Sequence, residues 1–190
     1  TDLELAPQDE VTSTFDETTA VTGLTVVKGT TPVSFTGTYV GHVADALGRD
    51  AAGDGVDMLL FELSGAGIDS GAFKAGIWSG MSGSPVYTQD GRLIGAVAYG
   101  LSAANTPLAG VTPAAYMKEV GTDKLKGAPA RVRIAAKDLD GASRRTTAQA
   151  VGADLKQLKA VKVIAGGQKA NALANRTQAR VPAHSASARA

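Results

Sequence analysis

The chain has 190 residues, 44% of them hydrophobic and so enough for a buried core, and its 19 basic and 18 acidic side chains leave a formal net charge of +1. Without cysteine it has no disulfide, thiol nucleophile or thiolate metal site, and two histidines give poor support to an imidazole metal site, so neither metal nor cofactor is expected. No apolar run approaches the roughly 18 residues of a membrane-spanning helix, so no membrane span is expected.

The opening at Thr1, without Met or a charged-then-apolar leader, is what a processed chain or a piece of a longer one would show. Residues 1–20 are acidic and rich in threonine and are expected to form an extended, loose arm. Strand signals then follow closely: GLTVVKG at 23–29, VSFTGTYVGHV at 33–43, VDMLLFEL at 56–63, SPVYT at 84–88, RLIGAVAYG at 92–100 and LAGVT at 108–112. Rich in Val, Thr, Phe and Tyr and separated by Gly, Pro, Asn and Asp, they predict a closed or sandwiched β structure. Asp90-Gly91 marks a hairpin tip, and PAAYMKEV at 113–120 predicts a short helix with Pro113 in its first turn. Beyond it come a basic strand-like ARVRIAA at 130–136, a helix at 143–160, VKVIAGG at 161–167, and an Ala-, Asn-, Gln- and Arg-rich end from 168 that is expected to be disordered.

The small net charge hides a polarity. Residues 1–70 carry 12 acids and 2 bases, residues 121–190 carry 4 acids and 14 bases, and all nine aromatic residues lie at or before Tyr116. Two properties change near position 120, which divides the chain into an acidic arm at 1–20, a β domain at 20–120, a basic accessory segment at 121–167 and a tail at 168–190. A basic half invites a nucleic-acid reading, yet it holds no aromatic side chain to stack on a base and no recognised binding motif. Solvation of the basic half, or its docking on the acidic half, is the simpler expectation, with no nucleic-acid partner.

The chemistry concentrates in GIWSGMSGSPVYTQDGRLIGAVAYG, residues 76–100. A glycine two places before a serine lets the backbone turn so that both N–H groups face one small space, which is what an oxyanion hole requires. Ser82 is the candidate nucleophile, Gly80 and Ser82 are the candidate donors, Gly83 and Ser84 keep the far side low, and Pro85 fixes the start of the next strand. Trp78 and Met81 are read as core or rim residues, with a substrate-pocket wall as the alternative. A glycine- and serine-rich turn between strands is also common without any catalytic role.

The glycine, serine and proline spacing of residues 80–85 resembles the Gly-Asp-Ser-Gly-Gly-Pro loop of trypsin-like peptidases, with Met81 and Ser84 as departures. AGIWSGMSGSPVYTQDGRLIGAVAYG is more closely similar to the signature of the SpoIVB peptidase family of bacterial extracytoplasmic serine peptidases. The likeness extends through GLTVVKGTTPVSF, VDMLLFELSG and LAGVTPAAYM, over roughly residues 20–120. It implies a mainly β, chymotrypsin-like barrel, a secreted or extracytoplasmic bacterial setting, a protein or peptide substrate in extended conformation, and Ser82 as nucleophile.

Serine chemistry needs a proton acceptor, usually histidine. His42, in VGHVAD, resembles the family's Gly-His motif and, with Asp54 or Asp57, gives the order His, Asp, Ser. Against this, a two-barrel peptidase places its histidine and serine on different barrels, and six strands with turns take roughly 60 residues where only 40 separate His42 from Ser82. A solvent-facing strand-end histidine is the alternative. His184 lies in the tail without a flanking glycine, and Glu62-Leu63-Ser64-Gly65 stands where some members carry an Asp. Three functions therefore remain open: a serine endopeptidase acting through Ser82, a catalytically incomplete peptidase-like domain that binds or regulates peptides, and a structural domain whose basic segment contacts an anionic surface.

Overall fold

A computed structural model describes residues 2–69, 75–101, 106–119, 128–151 and 159–162. Strands β1 (Ala20–Val26), β2 (Pro32–Val43), β3 (Met58–Ser64), β4 (Pro85–Thr88), β5 (Leu93–Leu101) and β6 (Leu108–Pro113) are all present. They pair in the order β1-β2-β3-β6-β5-β4, every pair antiparallel, and β4 returns to β1 to close a six-stranded barrel. Closure through β4 and β1 encloses the core, while β5 runs on past its pairing with β4.

Period-2 alternation decides which side chains enter the barrel. On β1, Val21, Gly23 and Thr25 are buried while Ala20, Leu24 and Val26 are exposed. Gly23 is small for a reason across the sheet: a Cβ there would lie 2.1 Å from the ring of Phe35, its cross-strand partner. Phe35, Phe61, Met81, Ile94, Val97 and Val111 fill the interior. β3 breaks the alternation because both its faces are covered. Leu59, Phe61 and Leu63 point into the barrel, whereas Met58 and Leu60 join an outer cluster with Leu47, Tyr99, Tyr116, Val132, Ile134 and Leu139. The unbroken apolar run MLLF at 58–61, all four residues buried, reflects that double burial.

The flanking segments differ from expectation. Instead of a loose arm, residues 1–20 contain α1 (Gln8–Thr14), with Ala6 and Val11 buried in the barrel core. The arm is held by exchanged backbone bonds with Leu93 (Ala6 N–H to Leu93 O, 2.9 Å; Leu93 N–H to Glu4 O, 2.8 Å) and by Glu10, which takes both outer nitrogens of Arg92 at 2.8 Å. Its acidity served a specific partner, and composition does not reveal partners.

At the other side, the expected short helix is α2 (Ala114–Glu119), with Pro113 not in its first turn but at the end of β6, paired opposite Gly95. The change of composition near 120 does not stop the fold there. β7 (Arg131–Arg133) and β8 (Lys159–Lys162) extend the sheet from β5, and Val132, Ile134 and Leu139 cover the outer face of the barrel. Of the helix expected at 143–160 the structure has α3 (Gly141–Val151), whereas residues 159 and 160 belong to β8, where pairing with β5 and β7 holds them extended; 152–158 and 163–190 lie outside the described residues.

Strand directions give the barrel two ends. At one, β1, β3 and β5 finish and β2, β4 and β6 begin; at the other the reverse holds. Among the described residues, Ser82 precedes β4 at the first of these ends and His42 lies near the finish of β2 at the second.

Candidate functional site

Ser82 sits just ahead of β4, at the end of the barrel where β5 finishes. Ser79–Met81 form one turn of 3-10 helix, closed by Met81 N–H to Trp78 O (3.0 Å) and Ser82 N–H to Ser79 O (3.3 Å). Met81 is fully buried in the barrel interior and Trp78, half-buried, packs against the same core, so the methionine anchors the turn. Gly80 is exposed and Ser82 half-buried. Gly83 turns the chain at φ +86°, a left-handed conformation that a side chain disfavours.

The two serines of the motif have different environments. Ser84 is buried, and its hydroxyl donates to Thr25 Oγ1 at 2.9 Å across to β1. Its amide donates to Met81 O and its carbonyl accepts from Val97 N–H, both at 2.9 Å. Ser84 therefore fastens the strand, and Ser82 is the hydroxyl left within reach of a ligand. Of the local amides, Gly83 N–H is bound to Val97 O at 2.9 Å, and Ser82 N–H is held inside the 3-10 turn. Gly80 and Ser82 thus do not form a pair of free donors in this conformation, although both stand at the accessible surface.

His42 lies next to the last residue of β2, at the opposite end of the barrel from Ser82. A β-bulge between Tyr39 and Gly41 shifts the alternation so that side chains three residues apart meet: Tyr39 Oη and His42 Nδ1 are 2.8 Å apart. Burial, with the Asp57 charge adding to it, pushes the Tyr39 phenol up to about 12. His42 lines a cavity of about 500 Å³ with Phe15, Asp16, Lys137 and Asp140, between the end of α1, the bulge and the segment after β7.

Two of the three candidate acids, Asp57 and Glu62, are engaged elsewhere, and Asp54 stands in an exposed loop. Asp57 Oδ1 accepts from Asp45 N–H at 2.9 Å, Asp54 belongs to an exposed loop braced by Asp50, and Glu62 Oε2 accepts from Ser143 Oγ at 3.1 Å. The structure thus does not bring His42, Asp54, Asp57 or Glu62 to Ser82, and His184 lies outside the described residues.

What sequence reasoning passed over is the edge of β5. β4 accompanies β5 only as far as Ser84 beside Val97; past that point β8 pairs with Tyr99, Gly100 and Leu101. Tyr99 is fully buried and donates its hydroxyl to Pro129 O at 2.7 Å, and burial, then the neighbouring Tyr116, pushes its phenol up to about 12. The alternation in LIGAVAYGL marked a strand but carried no information about which partner would lie beside it.

Among the described residues no group of three or more His, Cys, Asp or Glu could hold a metal ion, and no helix is long and apolar enough to cross a membrane. Compared with protein-family models, with curated proteins and with solved structures, the chain matches none.

Proposed function

We propose that this chain is a barrel of the trypsin-like serine-peptidase type that holds extended peptides beside Ser82 without cleaving them. The observation that carries this reading is the separation of Ser82 from His42 by the length of the barrel. Among the described residues no imidazole stands beside Ser82, and a serine hydroxyl without a base stays protonated near neutral pH and is a poor nucleophile. The engaged Ser82 amide adds to this, since an oxyanion needs donors that are already free and aimed.

Two further features support the peptidase-type ancestry. The likeness of residues 76–100 to the SpoIVB peptidase signature implies a chymotrypsin-like barrel, and a closed six-stranded antiparallel barrel is compatible with one. The β5 edge beyond Ser84 accepts an added antiparallel strand, the mode by which extended peptides are bound through main-chain hydrogen bonds. The same likeness is the ground for a secreted or extracytoplasmic setting.

The endopeptidase reading has one observation in its favour: Ser82 and Gly80 lie at the accessible surface of their turn. Rotation of the Ser79–Gly80 peptide would remove the acceptor of the Ser82 N–H and swing the Gly80 N–H toward the same side. A base would still have to come from outside the described residues. The two readings separate with a fluorophosphonate probe on the intact chain at neutral pH, followed by mass spectrometry. No adduct at Ser82 is expected. A stoichiometric adduct at Ser82, absent from Ser82→Ala, would overturn the binding reading in favour of the hydrolase.

A further inference from the structure

β8 occupies a particular place. Its register on β5 is antiparallel, Leu101 opposite Ala160, Gly100 opposite Val161 and Tyr99 opposite Lys162. Going from Ala160 to Lys162, the chain therefore descends β5 toward Val97, whose carbonyl accepts the amide of Gly83, the residue after Ser82. β8 runs with its carboxyl end toward the serine, on the stretch of β5 that β4 has left unpaired. A separate extended peptide reaching Ser82 along this edge would need the same main-chain donors and acceptors of Tyr99–Leu101. The edge cannot serve both strands at once.

Resting on the peptide-binding reading of the Ser82 end, we propose that β8 is a built-in competitor: the chain's own residues 159–162 occupy the peptide edge of β5, and an external extended segment binds only when β8 is displaced. The strand suits this role. It has four residues, and its other neighbour, β7, has three, so away from β5 the two make a ribbon too short to persist by itself. Val132 of β7 and the following Ile134 are anchored in the outer cluster, which keeps the segment tethered beside the barrel when β8 detaches. Tethering holds β8 at high effective concentration, so a free peptide competes at a disadvantage set by the fraction of open molecules.

The test uses the full chain and the double variant Ala160→Pro/Val161→Pro, which removes two successive main-chain donors from β8 and cannot keep the pairing. The probe is a fluorescein-labelled peptide QLKAVKVI, the sequence of residues 157–164, followed by fluorescence anisotropy. The variant is expected to bind it at least about tenfold more tightly than the wild type, as removal of a predominantly closed state requires. Equal affinity for the two proteins, or no binding to either, overturns the proposal. Because the variant can lose more than β8, hydrogen exchange on the wild type gives an independent reading. Excess peptide should speed exchange at 159–162 while 99–101 stay protected, and unchanged exchange at 159–162 under saturating peptide overturns the proposal as well. The fluorophosphonate probe, applied to wild type and variant alike, keeps the two ideas apart. Labelling of Ser82 in the opened variant removes the non-cleaving reading and leaves β8 as competitor, whereas displacement failing with Ser82 unlabelled removes only the competitor.

Discussion

Ser84 offers a sharp test of how the Ser82 loop is held. Its hydroxyl and that of Thr25 form a buried hydrogen bond of 2.9 Å between β4 and β1, with Ser84 at 7% and Thr25 at 4% exposure, so water cannot replace a lost partner. Ser84→Ala leaves Thr25 Oγ1 without its donor in a dry site, which costs about 1–3 kcal/mol. For a chain of this size, a loss of about 2 kcal/mol lowers the melting temperature by roughly 4–8 °C. Thr25→Val orphans the Ser84 hydroxyl from the other side, with a similar cost. The double variant removes both polar groups and replaces the hydroxyl of Thr25 by a methyl of like shape, so its loss should stay near that of one single variant. Urea denaturation of the four proteins of the cycle measures the coupling, expected to be about 2 kcal/mol. Additive losses would show that the two hydroxyls act independently and that the bond does not fasten β4 to β1. A fall in stability below about 0.5 kcal/mol for Ser84→Ala would place the side chain in water, contrary to its burial.

Two other outcomes follow from particular contacts. Gly41 has φ +143°, and a Cβ there would stand 1.8 Å from Asp138 O, in a segment pinned by Asp140 N–H to Val40 O at 2.8 Å; Gly41→Ala should therefore lose about 2–4 kcal/mol and expose the 136–140 segment to proteolysis at Lys137. Gly48→Ala is the control, since φ +104° with nothing within 4 Å leaves only about 1 kcal/mol of backbone strain; equal losses at the two positions would mean that the Asp138 contact is not made. The Tyr39 and Tyr99 phenols, ordinarily at 10.0, are raised to about 12 chiefly by burial. A raised folded value gives stability that is intact below pH 10 and lost as pH climbs toward 12, about 2 kcal/mol per tyrosine, so urea midpoints should be flat to pH 10 and fall beyond it, less steeply in Tyr39→Phe. A midpoint that stays flat through pH 12 would mean that neither phenol is buried.

The order and type of the β elements could be read from the chain because alternation is a local property: each strand's apolar residues repeat every second position wherever the strand is packed. The hairpin at Asp90-Gly91 was visible for the same reason, and Gly91, at φ +90°, supplies the turn. The small residues around Ser82 made a tight turn legible there, and Ser79–Met81 form one turn of 3-10 helix. That Ser84 is buried and bonded to Thr25 across to β1 could not be read from the chain, because that partner lies 59 residues away. His42 shows the opposite limit. With Asp54 or Asp57 it gave the chain order of a triad while its 40-residue spacing from Ser82 told against one, and only the strand directions show at which end of the barrel it emerges.

What the sequence determined by itself is therefore a β chain with a tight glycine-serine turn leading into a strand, since propensity, periodicity and turn chemistry act over a few residues. Only the tertiary structure decided that the barrel closes through β4 and β1, that the segment from Glu4 to Glu10 fastens to Leu93 and Arg92, and that β8 lies along β5. Those outcomes depend on which strand edges meet across gaps of many residues, and pairing over such gaps is fixed by the closure of the whole sheet.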